Sequence, residues 1–154
     1  MIRLSVGTAI ELGILNKKSD IPPTTAYIMI GEKCINKCSF CSQSIESSTR
    51  KDKLSRVIWP EFSKEEILDA LKAYKGKNIK RICIQSMASE EAHNSVLDFI
   101  NYISGKIDMP ISLSAKLEND EQIKKFFSAG VNKIGIAIDA ANKELYEKIK
   151  GNNY

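Results

Sequence analysis

Three of the four cysteines in this 154-residue chain fall within eight residues, Cys34-Ile35-Asn36-Lys37-Cys38-Ser39-Phe40-Cys41, in the spacing C-x3-C-x2-C. Thiolates at these intervals can wrap one corner of a cubane and bind three irons of a [4Fe–4S] cluster. The fourth iron then lacks a protein ligand, which leaves it open to bind and reduce a small molecule rather than only relay electrons. Structural zinc usually takes four ligands in two separated pairs. The sequence has no second cysteine pair, and its one histidine, His93, is distant. With no secretory-type N-terminal stretch, a disulfide framework is not expected. Zinc binding and plain electron transfer are the alternatives that the residues themselves leave open.

The surrounding composition is that of a globular protein large enough for a real core. Hydrophobic residues make up 43% and charged residues 27%, and the length suits one domain. The net charge of +4 is modest. Its lysines are scattered over predicted helices rather than massed, so nucleic-acid binding is not indicated. No apolar run approaches the ~18–20 residues of a membrane span. A cytoplasmic location is expected, where thiols stay reduced.

The elements that must position the cysteines follow from periodicity. Residues 1–23 are expected to form an N-terminal short helix over residues 4–15 and a polar connector ending at Pro22-Pro23, which cannot continue a helix. Residues 24–30 are short, β-branched and apolar, which predicts a strand buried on both faces. Gly31-Glu32-Lys33 then turns into the cysteine loop. The loop thus sits at the C-terminal end of the first predicted strand, where α/β barrels place their chemistry. Residues 42–60 form a long, Ser/Lys/Arg-rich connection. Its Arg50, Lys51, Lys53 and Arg56 are candidates to shield the site and face an anionic group; a solvated surface loop is the alternative.

Beyond it the pattern is regular. Ser63 and Glu66 form a capping box, with Phe62 stapled onto Ile67, and the helix is expected to carry Leu68, Leu71 and Tyr74 inward and end near Gly76. Strands are predicted over residues 79–85, 110–116 and 131–139. They alternate with helices over residues 90–104, from the Asn119 cap to Ala129-Gly130 (packing Ile123, Phe126 and Phe127), and over residues 142–150. The resulting βαβαβαβα order predicts a parallel sheet with outer helices, curled into a partial barrel.

With its aromatic Phe40 before the last cysteine, C-x3-C-x-(aromatic)-C after a predicted strand resembles the motif of the radical S-adenosylmethionine (SAM) enzymes. The resemblance implies a partial TIM-like α/β barrel of that type, with about four βα units over a core of residues 24–154. It also implies that the open iron chelates the amino and carboxylate groups of SAM. An electron from the cluster would then release methionine and a 5′-deoxyadenosyl radical that abstracts hydrogen from a substrate. Six units are usual in that family. The open fourth strand therefore raises the expectation of a truncated chain or of a partner chain that completes the sheet.

Within the superfamily, the run Cys38-Ser39-Phe40-Cys41-Ser42-Gln43, the strand Arg81-Ile82-Cys83, the strand Pro110-Ile111-Ser112-Leu113-Ser114 and the passage from Gly130 to Asp139 resemble the biotin synthase and lipoyl synthase branch. Carried over position by position, Cys34, Cys38 and Cys41 would ligate the cluster. Asp139 would accept from the ribose hydroxyls of SAM, its structural alternative being an N-cap for the last helix. Gln85 and Ser114 are the other candidate SAM contacts. Gln85-Ser86-Met87 replaces the Gly-Gly-Glu that many members use for the methionine amine. Cys83 matches a cysteine that helps hold a second cluster in biotin synthase, but its partner position is Ser112, so Cys83 reads as a small buried side chain. His93 is assigned no catalytic role. The implied reaction is sulfur insertion on an unknown substrate, such as a lipoyl-type acyl chain or its carrier protein, with ferredoxin or flavodoxin as electron donor. Methyl transfer, carbon rearrangement and a non-catalytic [4Fe–4S]-binding subunit are the alternatives.

Overall fold

In a computed structural model, which describes residues 1–32 and 34–151, one five-stranded sheet carries helices on one face. Lys33, in the turn expected before the cysteines, and residues 152–154 of the expected core lie outside the described residues. In chain order the elements are β1 (Ile2–Leu4), α1 (Val6–Glu11), β2 (Thr25–Ile30), β3 (Lys53–Leu54), β4 (Val57–Ile58), α2 (Lys64–Ala73), β5 (Arg81–Ser86), α3 (Glu90–Ile103), β6 (Ile111–Ser114), α4 (Asp120–Ser128), β7 (Val131–Gly135) and α5 (Lys143–Lys150). The sheet order is β1-β2-β5-β6-β7. β2, β5, β6 and β7 are parallel, as the alternating pattern predicts, and four βα units make the expected part of a barrel. β1 is an addition. It pairs antiparallel with β2 where only a helix was expected, because three residues are too short for alternation to register.

The two faces of the sheet have opposite chemistry. Across the registered strands, Ile28, Ile84, Leu113 and Ile134 form one row and Ala26, Ile82, Ile111 and Val131 the next. These rows pack with Val96, Phe99, Ile100 and Phe126 into the main core. The alternate positions give the rows Tyr27, Cys83, Ser112, Lys133 and Met29, Gln85, Ser114, Gly135. This second face is polar and partly open. β2 is therefore buried on both faces only towards its end, for on this second face Met29 is fully buried but Tyr27 is 40% exposed. Strand side chains alternate, and among the described residues the helices pack mainly on the other face.

Each helix starts where its cap dictates. Ser5, Ser63, Ser89, Asn119 and Asn142 each accept from the amide three residues on, worth about 1 kcal/mol apiece. The Ser63–Glu66 capping box is formed in both directions. α2 ends at Ala73, short of Gly76, because Tyr74 turns to extended backbone. Its hydroxyl donates to Glu11 (2.7 Å) and accepts from the amides of Asn78 and Ile79. On α4 only Phe126 is buried; Phe127, expected to pack, points about 100° further round the helix and is 48% exposed. β7 stops at Gly135 rather than running to 139. β6 offers its last registered partner at Ser114, opposite Gly135, and Ile136 and Ile138 beyond it are exposed.

The long connection after the cysteines is partly structured. β3 and β4 form a small antiparallel hairpin, turned at Ser55 and Arg56, both with positive φ. Trp59 anchors it, its indole N–H donating to the Leu54 carbonyl, and packs with Met29, Met87 and Ala92 in a second small core. Cys34 lies against this core.

Gly31, where β2 enters the cysteine loop, is held at φ +118, and a Cβ there would meet Met87 at 2.7 Å and Ala92 at 2.8 Å. No L side chain fits both the dihedral and the space. Gly31→Ala is expected to destabilise the protein by about 3 kcal/mol, read as a lowered urea midpoint. An unchanged midpoint would contradict this packing.

Candidate functional site

The cysteine loop has no regular secondary structure, so its backbone must find partners elsewhere. It finds them in two places outside the loop and within the loop itself. The Ile35 amide donates to the Ala88 carbonyl after β5 (3.0 Å). The Lys37 and Ser39 amides donate to the carbonyls of Lys150 and Ile149, at 2.9 and 3.1 Å. Those are the last carbonyls of α5, which a helix leaves unmet. Within the loop, the Cys41 amide donates to the Cys38 carbonyl and the Ile45 amide to that of Asn36.

Side chains brace the same segment. Gln43 is buried, and its amide nitrogen donates to the carbonyls of Lys51 (3.0 Å) and Lys53 (2.7 Å), tying the loop to the hairpin. Its backbone amide donates to the Cys41 sulfur at 3.4 Å. On the other side, the buried Arg3 guanidinium donates to the Gly31 carbonyl and contacts the Met1 sulfur. Burial lowers the Arg3 pKa, partly offset by Glu61, Glu32 and Asp52. The backbone of Gly151 closes α5 at φ +80, with a Cβ there reaching within 3.1 Å of Lys37.

All three thiols of the loop line one open cavity of about 710 Å3. Its opposite wall is the C-terminal end of the sheet: Gln85 and Ser86 of β5, Ser114 of β6, then Asp139 and Lys150. The structure thus brings together all six site residues expected from the sequence, from four separate parts of the chain. Among the described residues, no three His, Cys, Asp or Glu side chains converge on one point that would hold a single ion. A cubane asks for a different arrangement, since each thiolate binds its own iron and the ligands surround a volume. Three cysteines around a cavity fit that group.

Among the described residues, four charged side chains line the cavity, as the pairs Asp139–Lys150 and Lys116–Glu118 (3.7 Å). Asp139 lies in the loop after β7 rather than at the strand end, and forms an ion pair with Lys150, whose side chain is 12% exposed. Its alternative as an N-cap is taken by Asn142. Burial lowers the Lys150 pKa more than any other single effect, but the bond and charge of Asp139, with Tyr146 and Cys38, together outweigh it and the pKa is raised. Burial pushes the Cys38 thiol up; the Lys150 ammonium works against this, while Cys34 and Cys41 add to it.

Other expectations fall out differently. Arg50, Lys51, Lys53 and Arg56 are exposed and none lines the cavity; Arg50 pairs with Asp52. Gln43 and Leu54 take their place, because the hairpin turns its backbone and apolar side inward. The Met87 carbonyl already accepts from Ser86 Oγ and the Ser89 amide. Gln85 donates to the Cys83 sulfur at 3.3 Å. Cys83 is half-buried, beside Ser112 on the polar face. His93 lies in a separate groove of about 340 Å3 between α3 and α4, where burial lowers its pKa.

Lys150, Arg3 and Asn36 went unmarked in the sequence. The only signal for Lys150 was a basic residue in the last turn of a helix, which is common to many helices.

The geometry can be set against known proteins. The family model described as the radical SAM superfamily matches residues 28–154. Among solved structures, the chain is similar to the crystal structure of HydG, a maturase of the [FeFe]-hydrogenase, with a TM-score of 0.61 and 14% identity over 81% of this chain. That likeness is one of fold, and this chain spans 27% of the length of the HydG chain. No curated protein matches the sequence.

Gln43→Ala removes the tie between loop and hairpin and leaves the Lys51 carbonyl without that donor. It is expected to cost about 2 kcal/mol in urea unfolding and to lower the iron retained per chain after anaerobic reconstitution and gel filtration. Wild-type iron retention would contradict a bracing role.

Proposed function

Because the chain belongs to the radical SAM superfamily, whose members use a [4Fe–4S] cluster and S-adenosylmethionine, we propose that Cys34, Cys38 and Cys41 hold the cluster and that the adjoining cavity receives SAM. One observation carries this reading: the three thiols of the loop face the C-terminal ends of two parallel strands, β5 and β6, and the segment that follows β7 across a single cavity. When bound and reduced by an external one-electron donor, of the ferredoxin or flavodoxin kind, the cluster supplies the electron that cleaves SAM to methionine and a 5′-deoxyadenosyl radical for C–H activation.

The chain's own residues bind and orient. The docked loop fixes the spacing of the thiols. Asp139 accepts from the ribose hydroxyls through the oxygen lone pairs its bond to Lys150 leaves free. Gln85 and Ser114, neighbours in register on β5 and β6, hydrogen-bond the amino-acid end of SAM. Phe40, largely exposed, lines the cavity beside the cysteines and gives its mouth an apolar edge. Substrate enters from the open side of the polar face.

The narrower reading, sulfur insertion of the biotin or lipoyl synthase type, is supported by the Cys38-Ser39-Phe40-Cys41-Ser42-Gln43 run. It requires a sulfur donor. Cys83 sits beside Ser112 rather than another thiol, so that donor would come from a second chain or a sulfide source.

The test is anaerobic reconstitution with iron and sulfide, then dithionite and SAM, assaying 5′-deoxyadenosine. Wild-type protein is expected to form it above the level of Cys38→Ala by at least about tenfold. A stable cluster without deoxyadenosine would favour a non-catalytic subunit. Uptake of zinc with no iron would contradict the proposal.

A further inference from the structure

Resting on the cluster reading above, we propose that Lys150 is a positioning residue that sets the reduction potential of the cluster, with Asp139 as its counterweight. Three observations place it. Its ammonium lines the same cavity as the three thiols. It is nearly buried, its side chain 12% exposed, and paired with an Asp139 that is itself 25% exposed. Its backbone carbonyl holds the Lys37 amide (2.9 Å), so the end of α5 cannot move without the cysteine loop.

The physical reason is charge. The carbonyl end of a helix carries partial negative charge, and here it is turned on a loop of three thiolates. Adding one electron to a cluster in that setting makes an already negative site more so. A cation fixed beside it stabilises the reduced form more than the oxidised one, and does so strongly where water is excluded. The other cations near the loop are poorly suited. Lys37 is half exposed and paired with Glu46, and Lys148 is exposed, so solvent and salt screen both. Lys116 lines the same cavity and is also shielded, its side chain 19% exposed, but it is paired with Glu118 and follows β6, on the wall opposite the loop. Lys150 is the more shielded of the two and the one whose backbone holds the cysteine loop.

The Lys150–Asp139 contact could instead serve only to pin α5. The two roles separate cleanly. Lys150→Met and Asp139→Asn break the same ion pair, so a purely structural role moves the cluster in the same direction in both. An electrostatic role moves it in opposite directions, because one variant deletes a positive charge and the other a negative one.

The experiment is an EPR-monitored redox titration of the reconstituted protein with dithionite and no SAM, after iron and sulfide have been counted. At the wild-type midpoint, Lys150→Met is expected to hold about tenfold less reduced cluster, and Asp139→Asn severalfold more. Lys150→Arg, which keeps the charge, and the exposed-site control Lys148→Met are expected to stay near wild type. Shifts of the same sign in Lys150→Met and Asp139→Asn, or no shift in either, would overturn the inference while leaving the cluster reading standing. If Lys150→Met fails to load iron, the rise expected for Asp139→Asn decides alone. A wild-type protein without a cluster would overturn both.

Discussion

The site depends on how an irregular loop is held in place. Cys34 to Cys41 has no ladder of its own, and a loop that must present three thiols to one volume cannot be left to fluctuate. Its amides are met by the Ala88 carbonyl and by the terminal carbonyls of α5. Each such bond is worth only about 1 kcal/mol net, but leaving its partners unmet costs more. The loop and α5 are therefore interdependent. Neither satisfies its backbone without the other, although they lie at opposite ends of the chain.

The sheet supplies the rest of the constraint. Its apolar rows are consumed by the helices, which commits the alternate rows to the open side. Tyr27, Cys83, Gln85, Ser112 and Ser114 are thus directed toward the cavity side by the same alternation that builds the core. Parallel strands also align their C-terminal ends, so β5 and β6 deliver Gln85 and Ser114 to the level of the cysteine loop. Function and folding draw on one pattern.

Much of this was legible in the residues. The parallel βα order, the caps at Ser63 and Asn119 and the stop at Gly151 follow from local rules. Cys34, Cys38 and Cys41 stand out because few chemistries need thiols at that spacing. The strand β1 was too short to register, and β7 was drawn too long because apolar character at Ile136 and Ile138 says nothing about whether a neighbouring strand is there to pair. The basic residues of the long loop looked suited to the cavity, but backbone turns at Ser55 and Arg56 decide which side faces inward. The Lys150–Asp139 pair needed the tertiary structure. It joins the end of one helix to the loop before it, across a cavity that only the folded chain creates.

The central claim is that three thiols bind three irons and leave the fourth open. Mössbauer spectra of 57Fe-reconstituted protein, recorded with and without SAM, test it most directly. The account predicts a [4Fe–4S] signal in which SAM perturbs one iron and leaves three unchanged. Four irons that respond alike, or iron bound as single ions, would contradict it.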